Sequence, residues 1–278
     1  MPGKDTYLRH MNNRDIKEVP VVILCGGKGT RLREQTEQIP KPLVRIGNHP
    51  IVWHIMKIYH TQGFRKFILL LGYKGEKIKE YFLNYSLNTN DFVLTQQGKE
   101  STVQYISEPR EDWEITFLDT GEDTMTGGRI KQLSRLTFKE DLFMMTYGDG
   151  VANVDLHKAL NMHDTAGKLI SMTCVPPIAR FGEIRKHSDG SVQFHEKPAI
   201  SDSVINGGFF IANTRLLKEI SDDASANFES DVLPNLARAG QLNPLIHEGY
   251  WQCMDTMRDC EVLNTQWESG NAPWKIWH

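Results

Sequence analysis

The chain has 278 residues, 40% of them hydrophobic, enough for a sizeable core in one or two domains. A net charge of −3, with the basic residues dispersed, gives no electrostatic footprint for nucleic acid or for an anionic membrane, so any phosphate it binds is small. No run approaches the ~20 apolar residues of a membrane span.

Residues 1–18 are polar, carry Arg9, Arg14 and Lys17, and lack the apolar centre of a signal peptide. They read as a flexible N-terminal extension, of vector origin or a partner contact, ahead of one domain over 19–278. Cys25, Cys174, Cys253 and Cys260 show neither C-x-x-C spacing nor a disulfide framework. Buried thiols in a reducing cytoplasm fit that pattern, and a structural zinc site does not.

Val21, Val22, Ile23 and Leu24 form an apolar run without polar alternation, the pattern of a strand buried on both faces of a parallel sheet. Gly26, Gly27 and Gly29 follow and let backbone N–H groups turn toward an anion, with Lys28, Thr30 and Arg31 adding donors and charge. Neither the Walker spacing nor G-x-G-x-x-G is present. Further on, Lys41 stands between Pro40 and Pro42, which stiffen its backbone.

A short strand is expected over 43–46, then a turn at Gly47 and Asn48. Pro50 opens a helix whose apolar face includes Ile51, Ile55 and Ile58 and which stops at Gly63. Trp53 and His54 within it read as core or interface packing. Residues 67–71 read as the next buried strand and 76–85 as the next helix. This alternation predicts an α/β fold, a Rossmann-like, doubly wound, mostly parallel sheet with ligands at the carboxyl ends of its strands. Short strands at 92–95, 103–106 and 115–118 predict a small inserted β region over the site.

Gly127 and Gly128 precede a helix expected over 130–136 and offer a second close approach of a ligand to the backbone. The strand 142–146 ends in Tyr147, Gly148, Asp149 and Gly150. Asp149 is either part of an Asp-Gly turn or a ligand of Mg²⁺, an ion that prefers one or two carboxylates plus substrate phosphates. A helix over 155–166, a strand over 169–175 and a hairpin around Ser188, Asp189 and Gly190 lead to Glu196 and Lys197. That carboxylate and ammonium suit a sugar hydroxyl and a phosphate, or form a solvated surface pair. Asn206, Gly207 and Gly208 precede another apolar strand. Helical segments at 216–220 and 229–238 and a strand at 245–247 come next. Asp255 is the tail residue singled out. A helix over 258–267, with Trp274, Ile276 and Trp277, reads as packing or subunit contact.

The succession of strand, Gly26-Gly27-Lys28-Gly29-Thr30-Arg31-Leu32, a gap and Pro40-Lys41-Pro42 resembles the fingerprint of the sugar-phosphate nucleotidyltransferases. Segments 50–57, 72–75, 125–129, 146–151, 196–198, 205–210, 254–256 and 272–275 are similar to the cytidylyltransferase branch of that family, which acts on glucose 1-phosphate. Cys25, Ile39 and segment 175–180 depart from its usual pattern. The resemblance implies CTP and a sugar 1-phosphate as substrates, Mg²⁺ as cofactor, and a homo-oligomer of three or six subunits. It implies Asp149 and Asp255 as the Mg²⁺ ligands and Arg31 on the leaving pyrophosphate. Lys41 would meet the α-phosphate, Lys197 the sugar phosphate, and Glu196 and Asn206, beside Gly207, the sugar hydroxyls. The nucleotide would lie against Leu24, Gly26, Gly27, Gly29, Thr30, Arg31, Lys41, Thr126, Gly127, Gly128, Arg129 and Asp149. Glu108 is a candidate acceptor for the cytosine amine, or a solvated loop carboxylate.

A nicotinamide-dependent oxidoreductase shares the fold class but requires the absent dinucleotide fingerprint. A non-catalytic nucleotide-binding regulator is opposed by the joint presence of Lys41, Asp149, Lys197 and Asp255. The expected reaction is in-line attack of a hexose 1-phosphate, glucose 1-phosphate by resemblance, on the α-phosphorus of CTP. It yields a CDP-sugar for surface polysaccharide or deoxysugar synthesis, and pyrophosphate. A different sugar, or UTP or dTTP, is the alternative within the family. The nucleophile is already an anion, so alignment and charge neutralisation carry the reaction and no covalent protein intermediate is needed.

Overall fold

The strand β1 (Pro20–Cys25) is buried along its whole length and forms the middle of the molecule. A computed structural model describes residues 14–32, 36–107, 111–177, 183–186, 189–195 and 203–277. After β1 come the short pair β2 (Arg45–Ile46) and β3 (His49–Pro50), the helix Ile51–Thr61, β4 (Lys66–Leu71) and the helix Gly75–Leu83. The hairpin β5 (Phe92–Gln97) and β6 (Glu100–Tyr105) precedes β7 (Glu114–Asp119), the helix Thr126–Lys131 and β8 (Leu142–Tyr147). Then follow β9 (Gly150–Ala152), the helix Leu156–Ala166, β10 (Ile170–Val175), the hairpin β11 (Glu183–Lys186) and β12 (Val192–His195), and β13 (Ile205–Asn213). The helix Leu233–Arg238, β14 (Leu242–Ile246), β15 (Trp251–Cys253) and the helix Met257–Glu268 complete the chain.

Seven strands form one sheet in the order β14-β10-β13-β8-β1-β4-β7. Only β13 runs antiparallel to its neighbours, β10 and β8, so the expected mostly parallel sheet is present. The period of a strand divides the core in two. Val21, Ile23 and Cys25 pack on one face with residues of the helices Ile51–Thr61, Leu156–Ala166 and Met257–Glu268. Val22 and Leu24 pack on the other with Ile130, Leu133, Leu233 and Leu236. Both faces are thus covered, the condition under which a continuous apolar run such as β1 is stable as a strand.

β4 and β7 lie on one side of β1 and β8 on the other, so the chain changes direction between β1 and β8. That is the switch point where an open α/β sheet leaves a crevice at its carboxyl ends. The loops after β1 and β8 line it, joined by the Gly148 N–H donating to the Leu24 carbonyl at 3.1 Å.

Several expected elements are corrected. The stretch 115–118 is not part of an inserted β region: as β7 it extends the main sheet, in parallel register with β4 from Lys66 opposite Glu114 to Leu71 opposite Asp119. The hairpin β5–β6 remains as the small inserted region, exposed along nearly all its length. Residues 41–43 make a 3-10 turn that follows Pro40 and contains Pro42, which leaves only Arg45–Ile46 as strand. The helix expected to follow the glycines begins at Thr126 and contains them. Residues 229–238 begin as a π turn, Phe228–Val232, before the α-helix. The last part of the N-terminal extension is docked: Arg14 donates to Asp164 at 2.8 Å, and Lys66 to Glu18 at 2.8 Å. Residues 1–13 lie outside the described residues. Among the described residues, no helix is long and apolar enough to cross a membrane.

Candidate active site

Two short strands bring the carboxylate-bearing loops together. β9, which begins immediately after Asp149, pairs antiparallel with β15, Cys253 opposite Gly150, and the Met254 N–H donates to the Asp149 carbonyl at 2.8 Å. Asp255 is thereby held beside Asp149. Lys41 Nζ donates to Asp149 Oδ2 and to Asp255 Oδ1, both at 2.6 Å. Arg31 Nη1 donates to Asp255 Oδ2 at 3.3 Å. The Lys41 side chain is 13% exposed and that of Arg31 76%, so the lysine is the inner cation and the arginine faces the open cleft. Burial opposes the charge on Lys41, but Asp149 and then Asp255 more than offset it and hold its pKa above the ordinary lysine value. It is an ammonium at neutral pH.

The backbone around Asp255 is set by a helix cap. Buried Asp259 accepts from the N–H groups of Asp255 at 3.1 Å and Thr256 at 2.9 Å, and from the Thr256 hydroxyl at 2.8 Å. Thr256 accepts in return from the Asp259 N–H, completing a capping box on the helix Met257–Glu268.

In the glycine loop, Gly27, Lys28, Thr30 and Arg31 are exposed and Gly29 is half-buried. Thr36 fastens the loop by donating its hydroxyl to the Gly29 carbonyl at 3.0 Å, and Lys28 reaches across to Asp123 at 2.8 Å. Arg129, expected against the nucleotide, turns its guanidinium beneath the loop. It donates to Gly26 O at 3.0 Å, Leu71 O at 3.1 Å, Thr120 Oγ1 at 2.7 Å, Gly121 O at 2.6 Å and Glu122 O at 2.9 Å. The ends of β1, β4 and β7 are stitched together by one side chain. A Cβ on Gly26 or on Gly72 would overlap that guanidinium, which is the reason for glycine at both positions.

Gly127 and Gly128, expected beside the nucleotide, also serve packing. A Cβ on either would stand 2.8 Å from a carbonyl oxygen, of Ala226 and Ala224 respectively, and the Gly128 N–H already donates to Ala226 O at 3.0 Å. The bare helix face admits the strap 224–228, which brings Glu229 into the cleft.

Two cavities meet at Tyr147 and Asp149. One, of about 310 Å³, is lined by Leu24, Gly26, Gly27, Lys41, Thr126 and Arg129 among others. The second, of about 520 Å³, is lined by Arg31, Asn206, Gly207, Glu229, Trp251, Cys253 and Asp255. A hydrogen-bonded relay forms their shared wall. Asn206 donates to the Tyr147 hydroxyl at 3.1 Å, Tyr147 donates to Glu229 Oε1 at 2.6 Å, and Thr126 donates to Glu229 Oε2 at 2.6 Å. Burial, then the Glu229 charge, raises the Tyr147 pKa and keeps the phenol protonated. Cys253 is pushed up to about 11 by burial and by Asp255 and Asp149, so it is a thiol and no nucleophile at neutral pH.

The nucleotidyl transferase family profile matches residues 20–266. A probable glucose-1-phosphate cytidylyltransferase of Bacillus subtilis is 44% identical over 256 residues, 92% of this chain and 99% of that protein. The chain belongs to the nucleotidyl transferase family. A glucose-1-phosphate cytidylyltransferase of Salmonella typhimurium is 43% identical over 256 residues, 92% of this chain and 98% of the relative. In fold, HddC of Yersinia pseudotuberculosis superimposes with a TM-score of 0.65 at 23% identity, covering 90% of this chain and 99% of HddC.

For a nucleotidyltransferase the donor set is informative. Asp149 and Asp255 converge on one ammonium nitrogen, which places two hard oxygen donors around a single cationic position. These residues fit Mg²⁺, which needs few protein carboxylates when substrate phosphates complete its shell. Among the described residues no group of three or more His, Cys, Asp or Glu side chains would cage a metal without such help. Glu108, Glu196 and Lys197 lie outside the described residues. Tyr147, Glu229, Trp251, Thr36 and Asp259 line or brace the candidate site and have no role in the sequence reading. Asp259 had a local signal, Thr256 three residues ahead of it at a helix start. Glu229 had none, because its place depends on the packing of 224–228 against Gly127 and Gly128.

Proposed function

We propose that this nucleotidyltransferase moves a cytidylyl group from CTP to glucose 1-phosphate, giving CDP-glucose and pyrophosphate. The observation that carries the reading is the convergence of Asp149, Asp255 and Lys41 where the two cavities meet, one of a size for a nucleotide's reacting end and the other walled by sugar-suited polar groups. The high identity to two cytidylyltransferases along almost their whole length supports the choice of CTP and of glucose. Arg31 and the exposed backbone of Gly27 and Thr30 suit the leaving pyrophosphate, and Asn206 and Tyr147 suit sugar hydroxyls. Mg²⁺ held by Asp149 and Asp255 would neutralise charge on the two phosphates. Burial of the lysine keeps dielectric screening low where two anions must approach, which strengthens its contacts.

A cytoplasmic location, a part in surface polysaccharide or deoxysugar synthesis, and a homo-oligomer of three or six subunits belong to the same reading. CTP and sugar phosphates are substrates of that compartment, and exposed Val93, Leu94 and Val103 on the β5–β6 hairpin are suited to a subunit contact. Cytosine presents an amine donor and an N3 acceptor where uracil presents the reverse, so a pocket fitted to one leaves polar groups unpaired with the other. kcat/KM measured side by side with glucose 1-phosphate is expected to be highest for CTP, lower for UTP, and negligible for ATP and GTP. Preference for dTTP or a purine would refute cytidylyl transfer and leave nucleotidyl transfer standing.

A further inference from the structure

We propose that Lys41 is a built-in stand-in for the divalent cation. In the free protein its ammonium occupies the position between Asp149 and Asp255, so the two carboxylates take up a metal ion only when a nucleotide draws the lysine away. The inference rests on the reading of Asp149 and Asp255 as the cation ligands and goes beyond it to the order of events at the site.

The geometry supplies the occupant. Both carboxylates meet Lys41 Nζ at 2.6 Å, a charge-assisted contact on each side, and Arg31 adds a second cation on Asp255. A divalent ion entering this arrangement would stand beside two positive groups, in a place where the lysine is 13% exposed and screening is weak. Lysine and ion therefore exclude each other. The lysine also has somewhere to go. Its side chain lines the nucleotide-side cavity together with Gly26 and Gly27, where the phosphates of a nucleotide would offer it a replacement anion.

The backbone favours motion confined to the side chain. Pro40 and Pro42 flank Lys41 on a 3-10 turn, and the Cβ of Lys41 packs so close to Gly29 that a Cβ there would stand 3.0 Å away. The base of the lysine is fixed against the glycine loop while its four-carbon stem keeps rotational freedom, a combination that the planar fork of arginine would not give. The consequence is ordered loading: the metal arrives with or after the nucleotide, and the empty protein does not scavenge divalent ions.

Mn²⁺ binding without nucleotide, followed by water-proton relaxation and by calorimetry, tests this directly on the whole chain. Lys41→Met is expected to bind Mn²⁺ at least roughly tenfold more tightly than wild type, as removal of a contacting positive charge requires. Lys41→Gln should do the same, which guards against a packing fault in the first variant. Introducing Asp149→Asn into Lys41→Met should remove the gain. Equal affinity of wild type and both single variants overturns the inference and leaves the two-carboxylate metal site intact. A gain that survives both Asp149→Asn and Asp255→Asn overturns the inference together with the ligand assignment.

Discussion

The two halves of the cleft are built by different means. The half proposed for the nucleotide is made of the loops that follow β1 and β8, the Lys41 turn and segment 124–129, with Arg129 tying the end of β1 from below to the ends of β4 and β7 and with Gly26, Gly27 and Gly148 in its lining. The half proposed for the sugar is made of side chains from remote segments, Asn206 on β13, Trp251 on β15 and Glu229 in the π turn Phe228–Val232, with Tyr147 at the end of β8 shared between the halves. Glycine backbone such as that of Gly26 and Gly27 suits what every nucleoside triphosphate shares, its phosphates. Side-chain construction changes with single residues and suits discrimination among sugars. Asp149, Asp255 and Lys41 sit where the halves join, so they belong to neither alone.

That division can be broken most strongly at the junction. Asp149→Asn and Asp255→Asn are each expected to lower kcat by about 100-fold or more at saturating CTP and sugar phosphate. Because both remove charge from one position, the double variant should lose far less than the product of the two. Steady-state pyrophosphate release measures all three. Multiplicative losses would mean that the two carboxylates act separately.

A smaller effect isolates the nucleotide half. Gly26→Ala places a methyl group in the space of the Arg129 guanidinium, an overpacking that costs about 1–3 kcal/mol. The KM for CTP should rise while the KM for sugar 1-phosphate changes little. An equal rise in both would deny that the halves are built independently.

The smallest effect isolates the sugar half. Asn206→Ala removes the amide that donates to the Tyr147 hydroxyl and lines the cavity, a hydrogen-bond loss of about 1 kcal/mol or somewhat more. Severalfold weaker saturation by glucose 1-phosphate with unchanged CTP binding, measured by calorimetry, is the expected outcome. Weakened CTP binding would move Asn206 to the other side of the wall.

The same division explains how much was legible in the chain. β1, the glycine loop, Lys41 between its prolines and Asp149 after β8 are local patterns, each readable within about ten residues because strand burial and turn chemistry are local. Asp255 reads as the partner of Asp149 only through the family resemblance and not from any local pattern, since its place depends on β15 pairing with β9 far away in sequence. β7 was misassigned because a half-exposed edge strand shows the same alternation as an inserted hairpin. The glycines at 127 and 128 look like a ligand approach in sequence, yet a bare Cα serves equally for close passage of another chain segment, and the strap 224–228 is what occupies it. Arg129 answers to carbonyls at three strand ends, a target that no linear pattern encodes.

The central claim is that the Lys41, Asp149 and Asp255 cluster joins a nucleotide to a sugar phosphate. Phosphorus NMR of the protein mixed with CTP, glucose 1-phosphate and Mg²⁺ tests it most directly. The account predicts equal consumption of the two substrates, with CDP-glucose and pyrophosphate appearing in equal amounts, and no turnover after chelation of the metal. Saturable binding of CTP with neither product formed from glucose 1-phosphate would contradict it.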